Sequence, residues 1–136
     1  MGLYQNNLYM EDVHYVVNMD IPWEKLKDKR IMISGATGLI GSFLIDVILE
    51  NNIINKLNCM VYALSRNTEK AKIRFSKYSN DPHLIFIPYD VKNPFIQDNL
   101  KTIHYVLHLA SNTHPLQYAT DPIGTITTNI IGIQNM

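Results

Sequence analysis

Three glycines at intervals of three, Gly35, Gly38 and Gly41, stand where the β-branched run Arg30-Ile31-Met32-Ile33-Ser34 gives way to Ile40, Leu44, Val47 and Ile48 at helical spacing. A strand that turns at once into a helix needs residues without a Cβ. Gly35 permits the tight turn, Gly38 leaves the backbone open to close approach by a bound group, and Gly41 lets helix and strand pack together. Six glycines scattered at random through 136 residues would give this spacing in about one chain in a hundred. The helix opens with unpaired N–H groups and the positive end of its dipole, so the turn reads as a seat for phosphates, the pyrophosphate of a dinucleotide in particular. A purely structural glycine turn is the plainer alternative.

The rest of the chain repeats the same alternation. Residues 58–65 and 84–89 read as buried strands, and Asn67 or Thr68 caps an intervening helix whose face carries Ala71, Phe75 and Tyr78. Asn93-Pro94 marks a turn, a weak short helix is expected over residues 95–100, and residues 105–110 supply a fourth strand. Asp121-Pro122 starts a last helix, with the aspartate as cap and the proline at its first position; Ile123, Ile126, Ile130 and Ile133 form an apolar stripe expected to face the core. Strands separated by helices with short connections imply parallel pairing. The expected fold is α/β, a doubly wound parallel sheet of about four strands, incomplete, Rossmann-like, over residues 29–136. Before it, Tyr9, Val13, Val16 and Val17 mark an amphipathic helix over residues 8–18 that Pro22 stops, so residues 1–28 form an N-terminal helical extension in which Trp23 packs down on the main fold.

Composition narrows the partners. Twelve Lys and Arg balance twelve Asp and Glu, so no net charge draws the chain to nucleic acid or to an anionic membrane. No apolar run approaches the length of a membrane span, and the acidic first residues do not resemble a signal peptide. The lone Cys59, inside the apolar run Cys59-Met60-Val61-Tyr62-Ala63-Leu64, fits a buried thiol in a reducing cytoplasm. His104, His108 and His114 straddle a strand and its loop without other ligands at metal spacing, so no metal is expected.

The end of the second strand bears on the cofactor. Dinucleotide-binding folds place an acidic residue there against the ribose 2′-hydroxyl, or an arginine that accommodates a 2′-phosphate. Here the strand ends Ser65-Arg66-Asn67, with no carboxylate before Glu69. Arg66 could hold a 2′-phosphate, stack on adenine, or stand as a solvated surface charge. Its presence tips the expectation toward NADP over NAD.

The chain resembles the N-terminal part of an extended short-chain dehydrogenase/reductase, in the NAD-dependent epimerase/dehydratase family of nucleotide-sugar enzymes. Gly35, Gly38 and Gly41 match its cofactor fingerprint, Asp90-Val91 the adenine-contacting pair after the third strand, and His108-Leu109-Ala110-Ser111 the fourth-strand end beside the nicotinamide ribose. Asp121-Pro122, Asn129, Gly132 and Asn135 resemble the helix that follows, and Ala110-Ser111-Asn112-Thr113-His114-Pro115 is most similar to the decarboxylase and dehydratase branch. The resemblance implies an NAD(P) site made by Gly35, Thr37, Gly38, Leu39, Ile40, Gly41, Arg66, Asp90, Val91, Leu109, Ala110 and Ser111. Ser111 and Thr113 could touch substrate or cap the loop.

The departures from the family are as informative. Catalysis there uses a tyrosine with a lysine four residues later, and no tyrosine of this chain has that lysine; Arg66 follows Tyr62 at that spacing, but both belong to the second strand. No residue is therefore assigned a catalytic role, and a nucleotide-sugar substrate is expected only in a full-length parent. A stand-alone NAD(P)-binding sensor or interaction module is the alternative. With no fifth strand in view, the fourth strand should present an open edge, and self-association through that edge or the last helix is expected.

Overall fold

The computed structural model describes residues 2–112 and 115–136. Helix α1 (Asn7–Val17) starts where the Asn6 side chain accepts hydrogen bonds from the N–H groups of Leu8 and Tyr9, and it buries Val13 and Val17. Strand β1 (Arg30–Ser34) leads through the glycine turn into α2 (Leu39–Asn55). β2 (Met60–Ser65), α3 (Thr68–Arg74) and β3 (Leu84–Pro88) follow, then β4 (Tyr105–His108), α4 (Pro115–Thr120) and α5 (Pro122–Asn135).

The four strands are parallel, in the order β3-β2-β1-β4, with Ile31 paired to Val61 on one side and to Tyr105 on the other. The chain steps from β1 outward through β2 to β3, then returns across the sheet to place β4 on the far side of β1. The connections leaving β1 and β4 therefore diverge, and a crevice opens beyond the carboxyl ends of the strands, as doubly wound sheets require at the point of reversal.

One face of the sheet presents Ile31, Ile33, Val61 and Ala63 to Ile45, Ile48 and Leu49 of α2 and to Phe75. Cys59 is buried there, and burial pushes its thiol up to about 12. The N-terminal extension packs over α2, where Val13 and Val17 meet Val47, and Trp23 touches both this cluster and the sheet-side core. The extension also covers two carboxylates. Asp46, fully buried, accepts hydrogen bonds from the Tyr4 hydroxyl at 2.9 Å, from the Tyr9 hydroxyl, and from Arg74 at 2.6 Å. Glu50 meets His14 at 3.2 Å and accepts from Tyr78 at 2.8 Å and from Lys77. Burial, reinforced by Asp46, pushes the Tyr4 and Tyr9 hydroxyls up, Tyr9 to about 12. Burial alone would raise Glu50, but bonds from Lys77, Tyr78 and His14 hold it below the usual carboxylate range.

The other face presents Met32, Tyr62, Leu64 and Ile87 to Tyr89, Phe95, Leu100, Ile103 and Met136. The structure differs from sequence expectation here. Residues 95–100 form no helix; the Phe95 N–H donates to the Asn135 carbonyl, and the stretch lies across the sheet as irregular backbone. The Ile stripe of α5 faces outward, with Ile123 77% and Ile130 61% exposed, because the helix seats its narrow side, Thr128 and Gly132, on the sheet. Strand and helix bounds also shift. Asn58 precedes β2 with a left-handed φ of 56°, β3 stops at Pro88 and β4 at His108. α3 ends at Arg74, and a separate turn of 3₁₀-helix, Ser76–Tyr78, carries Tyr78 into the core. α4 had no counterpart in the sequence reading.

Candidate functional site

The crevice at the carboxyl ends of the strands has a volume of about 300 Å³. Gly35 bounds it with φ +66°, and a Cβ there would lie 2.5 Å from the Leu109 carbonyl oxygen, so only glycine lets β1 turn this close beside the end of β4. Gly41 serves the return: a Cβ would come within 2.4 Å of the Gly35 carbonyl oxygen, which fixes how near α2 can begin to the turn. Gly38 is the N-cap of α2, in extended conformation, and no side chain caps the helix. The N–H groups of Leu39, Ile40 and Gly41 consequently have no acceptor among the described residues. Among the helices whose caps are described, α1, α3 and α5 are capped by the side chains of Asn6, Asn67 and Asp121, and α2 is the one whose first N–H groups are left for a ligand.

The structure brings most of the expected residues together. Gly35, Thr37, Arg66, Asp90, Val91, Ala110 and Ser111 line the crevice. Gly38, Leu39 and Ile40 do not line it; they follow Thr37 as the N-cap and first residues of α2 and stand exposed, Leu39 90% and Ile40 64%. Gly41 is buried behind the turn, and the Leu109 side chain packs into the core while its backbone passes Gly35. Asp90 accepts from the Lys92 N–H at 3.0 Å in a tight turn, and Asn135 donates to the Val91 carbonyl at 2.9 Å, tying α5 to this wall. Thr113 and His114 lie outside the described residues. His104 accepts from the Arg30 N–H at 3.0 Å near the start of β1, at the opposite end of the strands from His108.

Sequence reading missed Asn67, Lys70 and Lys92, which also line the crevice. The signal for Lys70 was the cap itself: Asn67 accepts from the Lys70 N–H at 2.8 Å, so the helix register puts Lys70 one turn in, on the same side as Arg66. Neither Arg66 nor Lys70 forms an ion pair among the described residues. An uncapped helix start, a glycine turn open to close approach and two unpaired cations beyond β2 suit a phosphate-rich dinucleotide.

Sheet order, glycine turn and crevice together define a Rossmann-like dinucleotide-binding domain. Residues 31–136 match the NAD dependent epimerase/dehydratase family, and the chain belongs to that family, whose members use a nicotinamide cofactor. Among its relatives are UDP-glucuronic acid decarboxylase 3 of Arabidopsis thaliana, 36% identical over 107 residues covering 79% of this chain and 29% of the relative, and UDP-glucose 4-epimerase of Rickettsia bellii (strain OSU 85-389), 32% identical over 111 residues covering 80% and 32%. The chain spans less than a third of the length of these relatives. A solved structure titled "X-ray structure of Pen from Bacillus thuringiensis" superposes with a TM-score of 0.64 at 24% identity, over 81% of this chain and 33% of that one, which establishes likeness of fold. No helix among the described residues is long and apolar enough to cross a membrane.

Proposed function

We propose that this chain forms the NAD(P)-binding part of a nucleotide-sugar epimerase, dehydratase or decarboxylase. The uncapped start of α2 above the glycine turn carries this reading. In it, the N–H groups of Leu39, Ile40 and Gly41 take the pyrophosphate, Asp90 and Val91 flank the adenine, and Ala110 and Ser111 border the nicotinamide ribose. The nicotinamide, when bound, supplies a hydride acceptor and donor for a sugar carbon. The chain itself brings no tyrosine with a lysine four residues on, so turnover is expected only where such a pair is supplied. Arg66 and Lys70 favour NADP over NAD, because both can donate to a 2′-phosphate, while the second strand ends Ser65-Arg66-Asn67 without the carboxylate that would receive a 2′-hydroxyl. A cytoplasmic location accords with the buried, reduced Cys59.

Self-association belongs to the same proposal. Among the described residues β4 pairs only with β1, leaving its outer edge open there, and Tyr105 and Val106 are each 42% exposed; the Ile face of α5 is the other candidate surface.

Calorimetric titration of the chain with NADP and NAD, repeated on Arg66→Ala and Lys70→Ala, tests the cofactor assignment. NADP should bind more tightly, and each variant should lose about tenfold or more for NADP while changing little for NAD, the loss expected from one charge-assisted hydrogen bond. Equal affinities unmoved by either variant would remove the NADP preference. No heat from a folded sample would overturn the cofactor reading for this chain.

A further inference from the structure

Beneath the floor of the crevice one histidine joins three elements. His108, the last residue of β4, places Nε2 3.0 Å from the Thr128 carbonyl oxygen on α5 and Nδ1 2.8 Å from Ser34 Oγ at the end of β1. Ser34 is 1% exposed, and its Oγ accepts from the N–H groups of Leu109 at 3.1 Å and Ala110 at 3.4 Å. These contacts fix the hydrogens. A carbonyl only accepts, so Nε2 carries one. The Ser34 oxygen already receives two amide hydrogens, so its own hydrogen goes to Nδ1, which acts as the acceptor. A ring protonated at Nδ1 would put a third donor on that oxygen and leave the hydroxyl hydrogen without a partner. α5 is shaped to the ring: a Cβ on Gly132 would lie 2.8 Å from His108 Cε1.

We propose that His108 is a positioning residue for the dinucleotide site: held as the neutral Nε2–H tautomer, it fixes through Ser34 the backbone of Leu109 and Ala110 where β4 passes the glycine turn. Ser34 and Ala110 both line the crevice, and the Leu109 carbonyl is the atom that Gly35 leaves room for. His108 itself touches no bound group and acts through Ser34. Its effect on binding rests on the cofactor reading above, whereas the tautomer and the backbone ordering do not.

The test uses the whole chain. ¹⁵N NMR of the imidazole should find Nε2 protonated and Nδ1 bare. Amide hydrogen exchange at Leu109 and Ala110 is then compared, without cofactor, in His108→Asn, His108→Gln and His108→Leu. Asparagine can accept from Ser34 through Oδ1 in place of Nδ1, and glutamine can donate to Thr128 in place of Nε2. Exchange should therefore stay near the original in the Asn variant and rise at least about tenfold in the Gln and Leu variants, with NADP affinity falling in the same order by about tenfold. An Nδ1-protonated ring, or unchanged exchange at both amides in a folded Leu or Gln variant, overturns the proposal. Should the Leu variant not fold, the tautomer and the Asn–Gln contrast decide. Absence of NADP heat even from the unsubstituted chain overturns the cofactor reading, while the exchange pattern still decides for or against the role of His108.

Discussion

The two faces of the sheet are covered by unlike materials. On one, α2, α3 and the N-terminal extension bury a continuous aliphatic core and, above it, two carboxylates whose hydrogen bonds are supplied from three separate segments. On the other, irregular backbone and the narrow side of α5 suffice, and large apolar residues such as Ile96 and Ile130 are left in solvent. Both faces meet at the glycine turn. The difference assigns them separate tasks: the first holds α2 rigid so that its free N-terminus stays aimed at the crevice, and the second closes around the site with little hydrophobic commitment of its own.

The contrast breaks most visibly at Arg74. This residue donates to buried Asp46 and to both tyrosine hydroxyls, so Arg74→Ala leaves a carboxylate without its cation. Removing one member of such a buried pair costs about 3–5 kcal/mol, and the urea midpoint should fall accordingly. A truncation on the second face, Phe95→Ala, should cost distinctly less. The same network predicts an alkaline weakness. The Tyr9 hydroxyl rises from its ordinary 10.0 to about 12 in the folded chain, and Tyr4 rises with it, so the stability they contribute is fully present below pH 10 and is lost as pH climbs toward 12. Urea unfolding between pH 9 and 12 should show that decline, and Tyr9→Phe should flatten it.

How much of this was legible in the sequence follows from the range of the interactions. The glycine turn, the four strands and the Asp121 cap could be read because each rests on neighbours a few residues apart. The role of Asp46 could not: its partners Arg74, Tyr9 and Tyr4 lie 28, 37 and 42 residues away, beyond the reach of any local pattern. Residues 95–100 misled for a related reason, since their conformation answers to the sheet beneath and to the Asn135 carbonyl rather than to local propensity. The spacing of Ile123, Ile126, Ile130 and Ile133 fixed that they share a face but not which way it points. Gly132 decides that, through a contact with His108 that no periodicity reveals.

Gly132→Ala sharpens the comparison from the second face. Alanine favours a helix by about 1 kcal/mol over glycine, yet here its Cβ would press on the His108 ring and stand 3.2 Å from Val91 Cγ2. Overpacking of this kind costs about 1–3 kcal/mol, so a net loss of stability is expected where propensity alone predicts a gain. Thermal unfolding of the single variant reads the sign directly. A rise in the midpoint would mean that α5 can slide from its seat at little cost and that the second face is looser than its hydrogen bonds suggest.

Ile130→Lys should have the smallest effect on folding, because the side chain is already 61% exposed and a surface exchange typically stays within about 0.5 kcal/mol. Its effect on association is where the two faces part. If the proposed self-association runs through α5, a lysine in the middle of the Ile stripe puts a charge into that contact, and light scattering should show the variant as monomer at concentrations where the original chain is larger. If it runs through the β4 edge, where Tyr105 and Val106 stand half-exposed, Ile130→Lys leaves the particle size unchanged and Val106→Lys reduces it instead. A chain that is monomeric without either change would overturn self-association altogether, and the outward Ile face would then be tolerated exposure rather than a contact surface.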